Sequence, residues 1–519
     1  MSQFDINSDT NVTNIQILRK YRRGAHKFLH CLFSCVIIPL HLRRENTVKE
    51  RFPWREFLGK TAAIALPVAL QNLLMTTGSM IDTMMIAGLG AMSVGAVGLC
   101  AQFSSLMFSG YWGFVGGGML FFGQYWGAKD EEGIHRSYGM TLVCMMTVAI
   151  VFCLMGTLFP GVVLAMYTDK AAISEIGIRY LRIAALSYPL SVLGMAAAAL
   201  LRSTERVRIP LYGGMAQVVV NCFLNYCLIG GRLGFPRMGV EGAALATVCS
   251  AVVNVLLIFV LARATGYTYL TAVRRHFRWT KTFAASYFRK CGPILANEVL
   301  IGVGNMVINM VLGRQSENAI AATAVFRTLE GLIIGFFAGF SNAASVLVGK
   351  EVGAGRLETA YERARRLVYL CMGTIGVIAL CLVIVHRPVL QAMGLAGESL
   401  EICRGMLMIY AAASVIRMGN WTQNDTYRSA GDAVYGTVLE IVFMYIMVLP
   451  LVTWTGLGLH APFLAIFACC FADEPVRFIL MQIHLYRGTW IKPVTAEGQA
   501  ALADFRRSHR LQAGKKADK

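Results

Sequence analysis

Long runs of apolar residues, separated by short polar segments, recur along the whole chain of 519 residues. Most runs reach the roughly 20 residues that a helix needs to cross the hydrocarbon core of a bilayer. Within that core a helix satisfies its own backbone hydrogen bonds. The pattern predicts an all-α integral membrane protein with twelve transmembrane helices, at residues 62–85, 93–126, 138–160, 175–201, 210–230, 240–262, 291–313, 325–349, 367–385, 400–427, 434–455 and 459–485.

The composition agrees with this pattern, and the charge distribution orients the chain. Hydrophobic residues make up 56% and charged residues 15%, whereas soluble proteins carry about 25% charge. The net charge of +19 would suggest nucleic acid in a soluble protein. Here 37 of the 48 Lys and Arg fall in alternate loops, at 1–60, 127–137, 202–208, 262–290, 350–366, 428 and 486–519. This positive-inside pattern predicts two cytoplasmic termini and no nucleic-acid partner.

The chain also repeats itself at a constant offset of 226, the separation of Pro67 from Pro293. Three further landmarks recur at this offset: Gly78 and Gly304, Gly123-x3-Gly127-Ala128 and Gly349-x3-Gly353-Ala354, and Arg202-Ser203 and Arg428-Ser429. Six spans separate each landmark from its copy, so both copies cross the membrane in the same direction. The repeat predicts two pseudo-symmetric six-helix lobes, a common plan for alternating-access transporters. The predicted segments are an N-terminal extension at 1–55, lobes at 56–264 and 291–485, a linker at 265–290 and a basic tail at 486–519.

Small and helix-breaking residues add local detail to this plan. Three GxxxG pairs favour close helix packing over ligand binding: Gly113 with Gly117, Gly123 with Gly127, and Gly335 with Gly339. Pro189 and Pro475 lie inside predicted spans and are expected to kink or break them.

Two carboxylates inside the predicted spans need an explanation, because a charge at mid-membrane costs about 2.5–3.5 kcal/mol. Asp82 lies in the first span and Glu298 in the seventh. A buried carboxylate can bind Na+, carry a proton, attract a cationic substrate, or serve as a structural acceptor of hydrogen bonds. We expect a functional role at both positions.

Polar residues in spans five and six form a candidate cation site with Asp82. Asn221 and Asn225 are four residues apart and therefore share one helix face. Thr247 in span six could join them. Oxygen ligands of this kind suit a hard cation, although interhelical hydrogen bonding explains the same spacing equally well.

The second half of the chain carries further charges. Arg327 with Glu330 and Asp473 with Arg477 are spaced as helical ion pairs. Arg417 has no such local partner, and we expect it to pair with Glu298 across helices. Glu298 and Arg417 are therefore candidates for substrate or proton coupling.

The sequence contains no recognisable nucleotide-binding or catalytic motif. Gly59-Lys60-Thr61 resembles the end of a Walker A motif, but Trp54 replaces the required earlier glycine. The fourteen cysteines lie mostly in apolar spans and show no CxxC, which is not the pattern of a disulfide framework or a metal site. We therefore expect no enzyme activity, no metal centre and no cofactor. We expect an ion gradient to supply the energy for transport.

At this level of detail the chain resembles the multidrug and toxic compound extrusion (MATE) family. Leu66-Pro67 with Ile81-Asp82-Thr83-Met84 resembles the family's first helix, and Gly123-Gln124-Tyr125-Trp126-Gly127-Ala128 its loop after helix two. Phe340-Ser341-Asn342 through Gly355 resembles the repeat of that loop. The resemblance covers roughly residues 55–485.

The resemblance implies a monomeric bacterial plasma-membrane antiporter that exports cationic, amphipathic drugs against Na+ or H+. It assigns Asp82, Asn221, Asn225 and Thr247 to a first-lobe cation site, and Glu298 to an acidic position in helix seven. One branch carries a second acid in helix ten, roughly where Arg417 stands here, so the first-lobe site is favoured. A flippase for lipid-linked saccharides, or a channel or scaffold, remain alternatives.

Overall fold

The computed structural model describes residues 53–459 and 461–517, and these residues form helices and short connections. The helices are α1 Trp54–Ala87, α2 Ala91–Ala128, α3 Glu131–Leu158, α4 Pro160–Ala165, α5 Ala171–Ala184, α6 Ser187–Ser203, α7 Arg208–Gly230, α8 Val240–Ala264, α9 Val273–His276, α10 Lys281–Leu312, α11 Glu317–Gly353, α12 Leu357–Ala392, α13 Gly397–Ser429, α14 Tyr435–Phe443, α15 Leu449–Thr453, α16 Phe463–Cys469, α17 Glu474–Arg487 and α18 Ala496–Ala517. Two π-helical segments, Met444–Val448 and Trp454–Gly458, continue α14 and α15. The predicted N-terminal extension lies outside the described range, apart from its last three residues.

Ten helical segments of the described chain are long and apolar enough to cross a membrane: α1, α2, α3, α7, α8, α10, α11, α12, α13 and the rod Tyr435–Gly458. The predicted fourth span is a broken helix, because α5 and α6 meet at 47°. Pro189 lies in the first turn of α6, just after this break. The predicted twelfth span comprises α16 and α17, and Pro475 lies in the first turn of the second of these helices. The described residues therefore have the predicted twelve-helix, two-lobe architecture, in which the fourth and twelfth spans are each divided into two helices.

The helix boundaries repeat at the offset that the sequence predicts. α2 begins at Ala91 and α11 at Glu317, and α3 begins at Glu131 and α12 at Leu357. Both pairs of starting residues are separated by the repeat offset. The first C-lobe helix, α10, begins at Lys281 instead of the predicted residue 291, so much of the predicted linker is helical.

Each lobe has its own apolar core. In the N-lobe, Met107, Tyr111 and Tyr138 pack with Leu181 and Leu200 around α2 and α3. A separate cluster fills the C-lobe around α11, α12 and α13, with Phe326, Tyr410 and Phe467 fully or nearly fully buried. The polar side chains of the candidate sites lie outside these two cores, on faces between helices.

The lobes approach each other most closely where the C-terminal ends of α2 and α11 cross. A Cβ atom on Gly127 would overlap the carbonyl oxygen of Lys350, and one on Gly353 would overlap the carbonyl oxygen of Gln124. The repeat offset relates the two glycines to each other, and it also relates Gln124 to Lys350. The crossing is therefore pseudo-symmetric, and only glycine allows it.

A second pair of repeat-related contacts flanks this crossing. A Cβ on Gly113 of α2 would lie 2.5 Å from the Cα of Leu295 in α10, and one on Gly339 of α11 would lie 3.0 Å from the Cβ of Ala69 in α1. The repeat relates the two glycines and also their two partners. Gly117 likewise has no room for a Cβ, because one would overlap a side chain of α10. The predicted packing role of these three glycines is confirmed, and they pack one lobe against the other.

Candidate functional site

Asp82 and the predicted amide residues come together in the N-lobe. The Nδ2 of Asn225 donates hydrogen bonds to the Oδ1 of Asp82 at 2.5 Å and to the Oδ1 of Asn221 at 3.2 Å. The i, i+4 spacing of the two asparagines in α7 does place both on the face toward α1. The structure thus joins three of the four predicted residues directly.

Thr247 reaches this group through a residue that sequence reasoning missed. Its hydroxyl donates to the carbonyl oxygen of Ala243 within α8 at 3.0 Å. The Tyr180 side chain of α5 interacts electrostatically with both Thr247 and Asp82. A tyrosine in an apolar span carries no signal in the sequence that separates it from a packing residue.

Packing contacts one turn to either side hold Asp82 at this position of α1. On the preceding turn, a Cβ on Gly78 would lie 3.0 Å from the Cγ atoms of Val218 in α7. On the following turn, the buried Ile86 packs with Ile229 and Ala243. Positions i−4 and i+4 share the face of Asp82, so these contacts direct its carboxylate toward α7 and α8.

The oxygen atoms of this group fit a small hard cation. Among the described residues Asp82 makes no ion pair, and the Oδ1 of the fully buried Asn225 accepts no hydrogen bond. A carboxylate, amide oxygens and a hydroxyl are ligands that Na+ would share with other hard cations. A proton on Asp82 would neutralise the same charge.

A cavity of about 780 Å³ lies mainly in the C-lobe, between α10, α11, α13 and the last helices of the bundle, and α2 of the N-lobe forms one wall. Its walls are aromatic in part, with Trp112, Phe337 and Trp421 among the lining side chains. Ten charged side chains line it together with uncharged polar ones, and the charged residues are Glu298, Arg327, Glu330, Arg417, Asp425, Arg428, Glu440, Asp473, Glu474 and Arg477.

The predicted pairing of Arg417 with Glu298 is wrong. Glu298 pairs with Arg428 at 3.4 Å, while Arg417 reaches Glu330 at 3.1 Å and Glu474 at 3.7 Å. Arg428 and Arg417 are eleven residues apart in α13, so they lie about three helical turns apart in depth. Both Glu298 and Arg417 nevertheless line the same cavity.

The remaining arginines of the cavity also pair with carboxylates. Arg477 lies 2.8 Å from Glu474 and 3.3 Å from Asp473, and Arg327 lies 2.7 Å from Glu330. The predicted helical ion pairs are therefore confirmed. Burial of this kind requires each charge to keep its partner.

Two acids of this cavity escaped the sequence reasoning. Asp425 of α13 accepts a hydrogen bond from Ser341, and Glu440 of α14 accepts bonds from Asn297 and Asn424 at 3.1 Å each. Both acids lie within predicted spans. The cost of placing a charge in the membrane, which singled out Asp82 and Glu298, would therefore have identified them as well. Asp425 lies eight residues beyond Arg417 in α13, so this helix carries an acid of its own in the cavity.

Comparison with known proteins decides the family. The MatE family model matches residues 67–227 and 293–454, which together exceed half of the chain. The starting residues of the two matches are separated by the offset of the internal repeat. The chain belongs to the MatE family. Members of this family are transporters and not enzymes.

Individual relatives support this assignment at low identity. The chain is 24% identical over 379 residues to the "Probable multidrug resistance protein YoeA" of Bacillus subtilis, covering 72% of this chain and 82% of that protein. It is 22% identical to the "Uncharacterized transporter YisQ" of the same organism, covering 79% and 90%. The crystal structure of the Vibrio cholerae MATE transporter VcmN in the bent form superposes with a TM-score of 0.74 at 16% identity, over 88% of this chain and 98% of that one.

Proposed function

We propose that this MatE protein is a secondary active multidrug efflux transporter that exchanges cationic, amphipathic drugs or dyes for Na+ or H+. It works in the plasma membrane of a bacterium, as a monomer, with both termini in the cytoplasm. Its relatives include a protein named as a probable multidrug resistance protein, and its C-lobe cavity combines aromatic walls with carboxylates.

The Asp82 group carries the coupling half of the proposal. Asp82 lies in a membrane span, is half-buried, and has no cationic partner among the described residues. Such a charge is costly in a membrane unless an ion or proton neutralises it. The unsatisfied Oδ1 of Asn225 supplies a second oxygen beside it. An ion-binding role explains why this costly carboxylate is present, whereas a purely structural role as a hydrogen-bond acceptor does not.

Exchange requires that the ion and the drug favour different states of the transporter. A ligand shifts an equilibrium only by its difference in affinity for the two states. Asp82 lies on α1, which contacts both α7 of its own lobe and α11 of the other lobe, through Gly78 and Ala65 respectively. Neutralising Asp82 removes a charge at this junction, and α1 can then repack against both lobes.

The closed side of the present conformation follows from the helix directions. The lobes meet at the C-terminal ends of α2 and α11, and the distribution of Lys and Arg predicts that these ends are cytoplasmic. The conformation is therefore the outward-facing state, ready to release drug outside and to bind the ion.

The chemistry of the C-lobe cavity favours drug export over movement of a lipid-linked saccharide. A pyrophosphate headgroup would need cations free to bind it. The arginines that line this cavity, Arg327, Arg417, Arg428 and Arg477, each pair with a carboxylate. A cationic solute meets Asp425, which has no ion pair in the described part of the chain.

Ethidium efflux from drug-sensitive bacterial cells tests the proposal. Cells expressing the wild type should expel ethidium with an ion gradient, and Asp82→Asn should lose this efflux at equal expression. Dependence on added sodium would identify Na+ as the coupling ion, and dependence on the proton gradient alone would identify H+. Wild-type protein that is well expressed but expels none of a panel of cationic dyes and drugs would refute the proposal.

A further inference from the structure

The segment after the last membrane helix crosses the end of the molecule at which the lobes meet. Gly488, with a φ of 68°, ends α17 and reverses the chain. Residues 490–498, the last three of which begin α18, then run along the C-terminal ends of α11 and α13. We call residues 490–498 the strap.

Three anchors fix the strap to the C-lobe. Trp490 is fully buried and packs beside Tyr361 and Tyr427. The backbone N–H of Lys492 donates to the carbonyl oxygen of Ala430 at 2.9 Å. These contacts involve buried aromatic rings and backbone groups, which hold a segment more firmly than exposed side chains.

The third anchor lies at the glycine crossing itself. The hydroxyl of Thr495 donates to the carbonyl oxygen of Gly353 at 2.8 Å. A Cβ on Gly498 would lie 2.7 Å from the carbonyl oxygen of Val352. The strap is thus packed directly against the last turn of α11, where this helix meets α2.

One strap residue reaches the N-lobe. The backbone N–H of Val494 donates to the Oε1 of Gln124 at 2.8 Å. Gln124 is fully buried, and its Nε2 donates to the carbonyl oxygen of Ser429 in α13 at 2.9 Å. The amide of one N-lobe residue is therefore held from both sides by the other lobe and the strap.

The Val494 side chain adds an apolar contact at the same place. It packs on a buried cluster that contains Leu120, Phe121 and Met140 of the N-lobe and Tyr287 of α10. Opening the lobes at this end must expose this cluster, break both bonds of Gln124, or move the strap. Because the strap has three anchors on the C-lobe and one on the N-lobe, it would leave with the C-lobe.

We propose that the strap is a conformational latch that stabilises the state closed at the glycine crossing. Val494 and Gln124 form its release point, and the equilibrium between the two transport states depends on their contact. The inference rests on the alternating access of the proposed function, but its effect is measurable without transport.

Hydrogen–deuterium exchange of the full-length protein in lipid nanodiscs tests the latch. Val494→Ser removes the apolar contact and leaves the C-lobe anchors intact. We expect peptides covering the ends of α2 and α11 to exchange about fivefold faster than in the wild type, because an apolar side chain of this size contributes on the order of 1 kcal/mol when buried. Peptides covering α5 and α6 should be unchanged.

Ser508→Ala is the matched control. Ser508 hydrogen-bonds Glu358 at 2.8 Å, so it joins the tail to the C-lobe alone. Exchange at the glycine crossing in the Ser508→Ala variant should equal that of the wild type. The exchange rate of Val494→Ala should fall between those of the wild type and Val494→Ser. Unchanged exchange in Val494→Ser, or an equal increase in Ser508→Ala, would overturn the latch. If ethidium efflux is absent but the exchange pattern holds, the proposed substrate is wrong and the latch stands.

Discussion

The Nζ of Lys350 lies 2.7 Å from the Oε2 of Glu205, and this ion pair joins the two lobes beside the glycine crossing. Lys350 belongs to the last turn of α11 and Glu205 to the loop between α6 and α7. The pair is therefore made only while the lobes are closed at this end. Its side chains are 30% and 33% exposed, so water screens it and its contribution is about 0.5 kcal/mol.

Reversing one charge of this pair should favour opening. We expect Lys350→Glu to raise exchange at the ends of α2 and α11 by about twofold, through repulsion of Glu205. The double variant Glu205→Lys with Lys350→Glu should restore the wild-type rate. Equal exchange in the wild type and both variants would show that the pair does not contribute to closure.

Gly127 should be intolerant of any side chain, because a Cβ there would overlap the carbonyl oxygen of Lys350. We expect Gly127→Ala to separate the lobes at the crossing and to reduce efflux by at least about tenfold, since backbone cannot move aside cheaply. Gly373→Ala on α12 is the matched control, since a Cβ there meets nothing within 4 Å. That variant should keep its efflux and gain about 0.5–1 kcal/mol of helix stability.

Asn225 should contribute an oxygen ligand to the coupling ion. Asn225→Ala removes both the free Oδ1 and the hydrogen bond to Asp82, and we expect ion affinity to fall about tenfold. Asn225→Asp keeps two oxygens in place and should retain binding. Sodium binding by isothermal titration calorimetry of purified protein, or proton release on dye binding, would measure the difference. A wild-type affinity in Asn225→Ala would exclude this residue from the site.

The partner of Glu298 can be tested by charge exchange. Glu298→Arg should impair folding or transport, because it places two arginines beside each other in a buried cavity. Exchanging the pair, with Glu298→Arg and Arg428→Glu together, should recover part of the lost thermal stability. Combining Glu298→Arg with Arg417→Glu should not recover thermal stability, since Arg417 pairs with Glu330 and Glu474. Recovery by the Arg417 combination alone would contradict the observed pairing.

The stability of the C-lobe should depend on pH through Asp432, in the loop between α13 and α14. Burial opposes ionisation of this carboxyl, but hydrogen bonds from His484 and Lys492 outweigh it and lower its pKa. A carboxyl with a lowered folded-state pKa stabilises the protein above its unfolded value of about 4, and this contribution is lost as the pH falls through the folded value.

Thermal unfolding between pH 3 and pH 7 measures this effect. Asp432→Asn should lower the melting temperature at pH 7 and show a weaker loss of stability toward pH 3 than the wild type. Asp504→Asn on the exposed face of α18 serves as the control and should follow the wild-type curve. Parallel curves for the wild type and Asp432→Asn would show that this carboxyl does not contribute.

The sequence by itself determined the membrane fold, the two lobes and the grouping of Asp82 with the two asparagines. Apolar runs of sufficient length specify helices in a bilayer. The single repeat offset predicted that α10 is the copy of α1 and that α11 is the copy of α2. The four-residue spacing of Asn221 and Asn225 placed both on one helix face toward Asp82. These are local or periodic properties, which the order of residues contains directly.

Only the tertiary structure decided which charges pair and where the lobes touch. Arg417 and Arg428 share a helix, and their depths relative to Glu298 depend on how α13 packs against α10. The contact of Val494 with Gln124 joins residues 370 apart in sequence, and no local pattern indicates it. Such pairings depend on the relative positions of whole helices, because a side chain selects its partner by distance in the packed bundle and not by spacing along the chain.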